Sequence, residues 1–287
     1  MPNKPRTRRT KQEMAVICDA MYGFLEADHP SSVRHVFYQL IGAGLVAKDE
    51  GQYSGTVVRK LTDLRRSGVI PYAWLSDATR WVRRPAAYDS IEEALAETAR
   101  LYRRRLWTDA PIQVEVWCEK EAIAGILHQE TAKYDIPLMV QKGYASHSYL
   151  YSCAEAMTAI GKPAFIYYFG DSDGRGKDIQ RFMEQTLREY APSIAITVER
   201  LAVTEEQIEH WHLPDRPPKT KDKLNRKHTG KCVEVDTIEP RLLRSLVRDA
   251  IEQHIDDQQL ATLIVAERSE RAFLRQIAAD AEEGGRR

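Results

Sequence analysis

Three carboxylates stand directly after apolar runs that read as buried strands. Glu119 follows the run Val114-Glu115-Val116-Trp117-Cys118, and Asp171 and Asp173 follow Phe165-Ile166-Tyr167-Tyr168-Phe169 through Gly170. Neighbouring parallel strands end at one edge of their sheet, so these three side chains are expected to converge there. Converged carboxylates repel one another unless they are protonated or bound to a cation. Hard oxygen donors that leave room for water and phosphate suit Mg²⁺, the cofactor expected here. Strand-end acids also cap helices, a role open to Asp173 ahead of the helix that follows it. Two clusters at two strand ends of one sheet favour the metal over the caps.

Two other readings of Gly170-Asp-Ser-Asp-Gly-Arg-Gly-Lys-Asp178 fail on spacing. A phosphate loop beginning at Gly170 requires a second glycine where Arg175 stands, and Asp178, not Ser or Thr, follows Lys177. A calcium loop beginning at Asp171 requires oxygen ligands at Arg175 and Phe182. A further acid-x-acid pair, Glu234 and Asp236, follows a late apolar stretch and reads either as an addition to the metal site or as surface carboxylates. His210-Trp211-His212 is a weak metal signal and reads as loop packing.

The elements that must position these groups follow from periodicity and breakers. From residue 111 onward strands and helices alternate. Strands are expected at 113–118, 136–140, 164–169 and 194–201, and helices at 121–134, 146–160 and 176–190. That order implies right-handed crossovers and a mainly parallel sheet with helices on both faces. The Pro- and Lys-rich residues 213–231 read as a long loop and 232–235 as a short strand. Two amphipathic helices, 240–255 and 258–279, close the chain, and their apolar stripes read most simply as core, with a dimer contact as the alternative.

Ahead of the sheet, residues 1–12 read as a basic arm. Helices are expected at 13–27, 33–43 and 53–67, and a small β-wing at 69–82. Helix, helix, helix and wing is the order of a winged helix-turn-helix, which places a helix in the major groove. Arg59, Lys60, Arg65 and Arg66 on the third helix, and Arg80, Arg83 and Arg84 on the wing, are the expected phosphate contacts. A long helix over 89–107, rich in arginine, leads out of this first domain.

Composition agrees with two jobs in one chain. The 287 residues carry 42 Lys and Arg against 42 Asp and Glu. Residues 1–86 alone hold 14 basic and 8 acidic side chains, so the remainder is acidic by the same margin. A DNA-gripping part beside a metal-carboxylate part has this asymmetry. No apolar run is long enough for a membrane helix, and the basic start has no apolar stretch behind it, so neither a membrane partner nor a secretory leader is expected. Cys18, Cys118, Cys153 and Cys232 lie far apart. No disulfide framework is expected, and a cytoplasmic, nucleoid-associated location fits.

Glu119-Lys120 after one strand and Asp171-Ser-Asp173 after a later one resemble the Toprim domain of topoisomerases, primases and nucleases. Val33-Arg34-His35-Val36-Phe37-Tyr38 resembles the tyrosine motif of the topoisomerase VI A subunit and its relatives. The combined order, over roughly residues 30–200, is similar to that family. Val233 to Asp256 also looks like its short bacterial, mobile-element-borne homologues. The resemblance implies an N-terminal winged helix-turn-helix domain (13–86), a connecting helix (87–110), and an α/β Toprim-like domain with a mainly parallel sheet and C-terminal helices (111–287).

The resemblance further implies that Tyr38 attacks double-stranded DNA to form a 5′-phosphotyrosyl link, assisted by Arg34. It gives Glu119, Asp171 and Asp173 the Mg²⁺, with Glu119 also catalytic. It implies a homodimer in which the tyrosine of one subunit works with the metal site of its partner. No nucleotide-binding motif is visible, so ATP-driven strand passage would call on a separate ATPase subunit. A hydrolytic Toprim nuclease, with Tyr38 only structural, and a non-catalytic DNA-binding dimer are the alternatives. The chain departs from the family pattern at His35, at Gly174-Arg175-Gly176 and at Ala145-Ser146-His147-Ser148.

Overall fold

Strand β1 (Gln113–Cys118) is buried at every position. Such a strand needs neighbours on both edges and cover on both faces. It pairs in parallel with β2 (Leu138–Val140) and with β3 (Ala164–Phe169), and β3 pairs in parallel with β4 (Ile196–Ala202). The sheet order is β2-β1-β3-β4. The structure is a computed structural model that describes residues 9–75, 87–217, 224–225 and 228–285. It shows a mixed α/β architecture, with a helical N-terminal region followed by this parallel sheet and its flanking helices.

The pleat divides the core. Val114, Val116, Cys118, Tyr167 and Phe169 face helices α6 (Glu121–Thr131) and α10 (Pro240–Glu252), through Ile123, Leu127, Leu243 and Val247. Trp117, Ala164, Ile166 and Tyr168 face α7 (His147–Ile160) and α8 (Gly174–Tyr190), through Leu150, Met157, Ile179 and Leu187. Ser146 starts α7 by accepting a hydrogen bond from Tyr149 N–H, and Gly161, at φ 71°, ends it.

Glu115 also points into this second face. It is 4 % exposed, and its partner is the Trp117 indole N–H at 2.7 Å. Burial pushes its carboxyl up to about 7. Below about pH 4.5 it is protonated whether folded or not, and it has no effect on stability. Between there and pH 7 the unfolded chain ionises first, so stability falls and stays lower above pH 7. Glu115→Gln is therefore expected to stabilise the fold at pH 8 by about 1–3 kcal/mol and to change little at pH 4. Urea unfolding at the two pH values measures this.

The N-terminal region packs α1 (Lys11–Ala27), α2 (Val33–Gly42) and a continuous stretch made of α3 (Glu50–Gln52), a π-helical segment (Tyr53–Val58) and α4 (Arg59–Arg66). Thr10 and Glu13 form a reciprocal cap on α1, and Ser32 caps α2 through His35 N–H. Met21, Leu25, Leu40, Val57, Leu61 and Ile70 form the small core between them. The third helix thus starts three residues before the expected 53 and changes winding at Tyr53.

Several expectations need correction. The described part of the expected wing, residues 69–75, forms a 3₁₀ turn (Tyr72–Trp74) and one bridge from Leu75 to Ser31, not a strand pair. Residues 76–86, with Arg80, Arg83 and Arg84, lie outside the described residues, as do 1–8 of the basic arm. The connecting helix α5 runs only over Ile91–Leu101, where the Tyr102 N–H closes it on Thr98. Beyond it Arg103 pairs with Glu267 at 3.0 Å, and Arg104 pairs with Glu270. Both acids lie on the last helix, α11 (Asp257–Gly285), so these exposed arginines pair with the C-terminal helix. The stripe on α11 is only partly core, because Ile264, Phe273 and Ile277 are exposed. The expected strand at 232–235 is reduced to single antiparallel bridges, Val233 with Ser172 and Cys232 with Arg216.

Candidate active site

The register of the sheet decides what meets at its carboxyl edge. Cys118 lies level with Phe169 on β3 and with Val140 on β2. The next residue, Glu119, continues the ladder by donating its N–H to Phe169 O at 2.8 Å. Its carboxylate then reaches back and accepts the Asp171 N–H at 3.1 Å. Glu119 and Asp171 are thus brought together, as the sequence leads one to expect. Burial and the nearby Asp171 charge push Glu119 up to about 7, and burial also raises Asp171. These two carboxylates favour a proton or a cation between them.

Asp173 has a different fate. One of its oxygens accepts the Gly176 N–H at 2.7 Å and caps α8. The other takes the Arg216 guanidinium at 2.7 Å and the Asn225 amide at 3.4 Å. The helix-cap reading of Asp173 is the one realised. Among the described residues no three His, Cys, Asp or Glu side chains stand as a ready metal-binding group. Glu119 and Asp171 fit a hard divalent cation by chemistry and by mutual repulsion, whereas Asp173 is engaged elsewhere in this arrangement.

The place beside Asp171 is taken by a second acidic pair. Main-chain bonds between Ser172 and Val233, at 2.8 and 3.1 Å, tie the Asp-Ser-Asp loop to the segment before Glu234. Asp171 then accepts the Val235 N–H at 2.9 Å. Lys120 sits among the acids, with its ammonium 2.9 Å from Asp171, 3.0 Å from Asp236 and 3.7 Å from Glu234. Asp236 is 1 % exposed, which sets aside the surface reading of this pair. Burial works against the Lys120 charge, but Asp236, Asp171 and Glu234 outweigh it and hold the ammonium protonated above its ordinary range.

Tyr38 arrives from the other region of the chain. Its hydroxyl donates to Glu234, and the Arg216 Nε lies 3.2 Å from the second oxygen of the same carboxylate. Burial alone would raise Glu234, yet Lys120, the Tyr38 hydroxyl, Lys48 and Arg216 bring it down to about 2. The phenol moves the other way: burial, then the charges of Asp236 and Glu234, push it well above its ordinary value. Tyr38 is held as a neutral hydroxyl. Lys48 lies over its ring at 5.1 Å from the centroid. Arg34 stacks on Tyr53 at 4.9 Å and lines, with Glu119, Lys120, Lys142, Glu234 and Asp236, a cleft of about 450 Å³. His35 is buried, and burial pushes it down to about 4, so it is neutral where the resembled motif carries an acid.

The docking of the two regions has a second anchor, Arg244 on α10 with Asp28 at 2.6 Å, both largely buried. The tyrosine and the carboxylates that meet here belong to one chain. Sequence reasoning missed Lys120, Lys48, Arg200 and Arg216 as parts of the site. Arg200 on β4 ties the acidic loop down by donating to Gly170 O at 2.9 Å, Asp171 O at 3.1 Å and Gly176 O at 3.2 Å. Of the four, only Lys120 carried a local signal, by following Glu119 directly.

The expected DNA-contacting residues on α4 have mixed surroundings. Arg59 and Lys60 line, with Arg9 and Lys11, a surface groove of about 720 Å³. Lys60 pairs with Asp63 at 3.1 Å. Arg65 donates to Tyr72 O at 3.1 Å and stacks on the Tyr72 ring, while Arg66 is exposed. No helix among the described residues is long and apolar enough to cross a membrane. No protein-family model and no curated protein matches the chain.

Proposed function

We propose that this chain is a Mg²⁺-dependent DNA-cleaving protein of the topoisomerase VI A-subunit kind, with Tyr38 as its nucleophile. The observation that carries this reading is the hydrogen bond from Tyr38 to Glu234, which brings a helix-borne phenol to the acidic edge of a parallel sheet. Glu-Lys after β1 and Asp-x-Asp after β3 support reading the sheet region as a Toprim-like domain, and the packed α1, α2 and α4 support reading the helical region as a helix-turn-helix domain.

In the proposed step the Tyr38 oxygen forms a bond to a backbone phosphorus, the bond from phosphorus to the 3′ oxygen breaks, the phenolic proton passes to solvent, and the departing 3′ oxygen takes up a proton from solvent. Deoxyribose 3′-OH and a 5′-phosphotyrosyl link are the products. The phenol must lose its proton in a place that now holds it neutral, so positive charge has to be gathered around it. Arg34, Lys48 and Lys120 supply fixed charge, and Arg34 faces the cleft where the phosphate would lie. When bound, Mg²⁺ held by Glu119 and Asp171 would supply Lewis-acid stabilisation of the charge that develops on the phosphoryl oxygens. Double-stranded DNA as substrate, a homodimer clasping it and a separate ATPase subunit belong to the same proposal.

The raised Tyr38 pKa favours one rival, hydrolysis by water with Tyr38 only packing. End-labelled duplex incubated with the protein and Mg²⁺ tests the choice. The expected product is a denaturant-resistant protein–DNA adduct with free 3′-OH ends. Cut DNA whose 5′ ends carry no protein would support hydrolysis, and uncut DNA with tight binding would leave a DNA-binding module.

A further inference from the structure

The carboxyl edge brings more negative charge together than one exchangeable ion answers. Asp171, Glu234 and Asp236 surround a single point, and their side chains are 9 %, 15 % and 2 % exposed. At that point sits the ammonium of Lys120, within 3.0 Å of two of them and 3.7 Å of the third. Two of its N–H donors are within hydrogen-bond reach of Asp171 and Asp236, and Glu234 is an ion-pair partner at the longer distance. Lys120 is held there by its own position in the chain, since it directly follows Glu119 at the end of β1 and precedes α6.

We infer that Lys120 is a built-in cation that fills the place a second divalent ion would otherwise take between Asp171 and the Glu234–Asp236 pair. The inference rests on the proposed reaction and deepens it. Two-metal phosphoryl-transfer sites clamp the attacking and the leaving oxygen with one ion each. Here the ammonium lies 3.7 Å from Glu234, whose carboxylate holds the Tyr38 hydroxyl, the attacking oxygen of the proposed reaction. An exchangeable ion would then be held by Glu119 and Asp171. Lys120 is thus a positioning residue: it holds Glu234, and through it Tyr38, while cancelling charge that would otherwise recruit metal. A neutral side chain at 120 removes the ammonium from Asp171 and Asp236 and leaves Glu234 with Arg216, and carboxylates stripped of that charge favour a hard divalent cation.

The test is a count of bound Mn²⁺ on the full chain by isothermal titration and by electron paramagnetic resonance of the free ion. Lys120→Met and Lys120→Gln are each expected to bind one more Mn²⁺ per chain than the unaltered protein, and Lys120→Arg no more. An unchanged or lower count in both neutral variants would overturn the inference. A neutral variant that folds only when Mn²⁺ is added supports it, and one that stays unfolded with Mn²⁺ present counts against it. The readout is separate from cleavage. An unaltered chain that binds no Mn²⁺ would sink the Mg²⁺ reading, yet a gain of one ion in Lys120→Met would still stand.

Discussion

Tyr38→Phe is expected to remove the covalent protein–DNA species, lowering its formation by at least about 10⁴-fold, while DNA binding and folding persist. The substitution deletes one oxygen and keeps the ring. That ring packs on Phe37 at 5.7 Å between centroids and lies under Lys48. Glu234, deprived of the phenol, keeps Lys120 and Arg216 as partners, so no carboxylate is left stranded. The cost in stability should stay within about 1.5–3 kcal/mol, the range of a lost hydrogen bond to a charged group. Adduct formation on labelled duplex and a urea melt of the same preparation check both halves. Undiminished adduct would mean another nucleophile, and undiminished cutting without adduct would mean hydrolysis.

Gly176→Ala is expected to destabilise the fold by about 3 kcal/mol or more and to disorder the acidic edge. A methyl group there would overlap the Asp171 carbonyl oxygen and lie 3.0 Å from its carbonyl carbon. That backbone cannot retreat easily. Arg200 binds the Asp171 and Gly176 carbonyls, and Asp173 caps α8 through the Gly176 N–H itself. Gly174 is in the same position, since a methyl group on it would meet the Leu224 carbonyl carbon at 2.7 Å. Gly-Arg-Gly after the acidic pair thus has a steric reason in this chain: the first turn of α8 passes too close to two backbones for any side chain at either glycine. Gly125→Ala is the control with opposite sign. It lies inside α6 with open space around it, so it should gain up to about 1 kcal/mol. Urea unfolding of the three proteins separates overlap from loss of backbone freedom.

Much of the sheet region is legible in its residues because buried parallel strands are continuous apolar runs. Gln113–Cys118 and Ala164–Phe169 match their expected bounds for that reason. Glu119 and Asp171 are legible for a related reason, since parallel strands deliver whatever follows them to one edge. Local pattern is a poorer guide where a long-range partner intervenes. Residues 102–107 have helical composition, but Glu267 and Glu270 draw Arg103 and Arg104 out of the helix. The stripe on α11 looks like core by spacing, and Phe273 is left 67 % exposed because α5 covers only part of that helix.

What the sequence by itself determined is the parallel α/β layout, the edge at which its chemistry gathers, and the pair Glu119 and Asp171, because each depends only on local apolar patterning and on the rule that parallel strands end together. Only the tertiary structure decided that Asp173 caps a helix, that Glu234 and Asp236 replace it beside Asp171, and that Lys120 and Arg216 answer their charge. Those choices depend on which of several available acids and bases meet when distant segments pack, and electrostatic partners chosen at that stage leave no periodic trace in the chain.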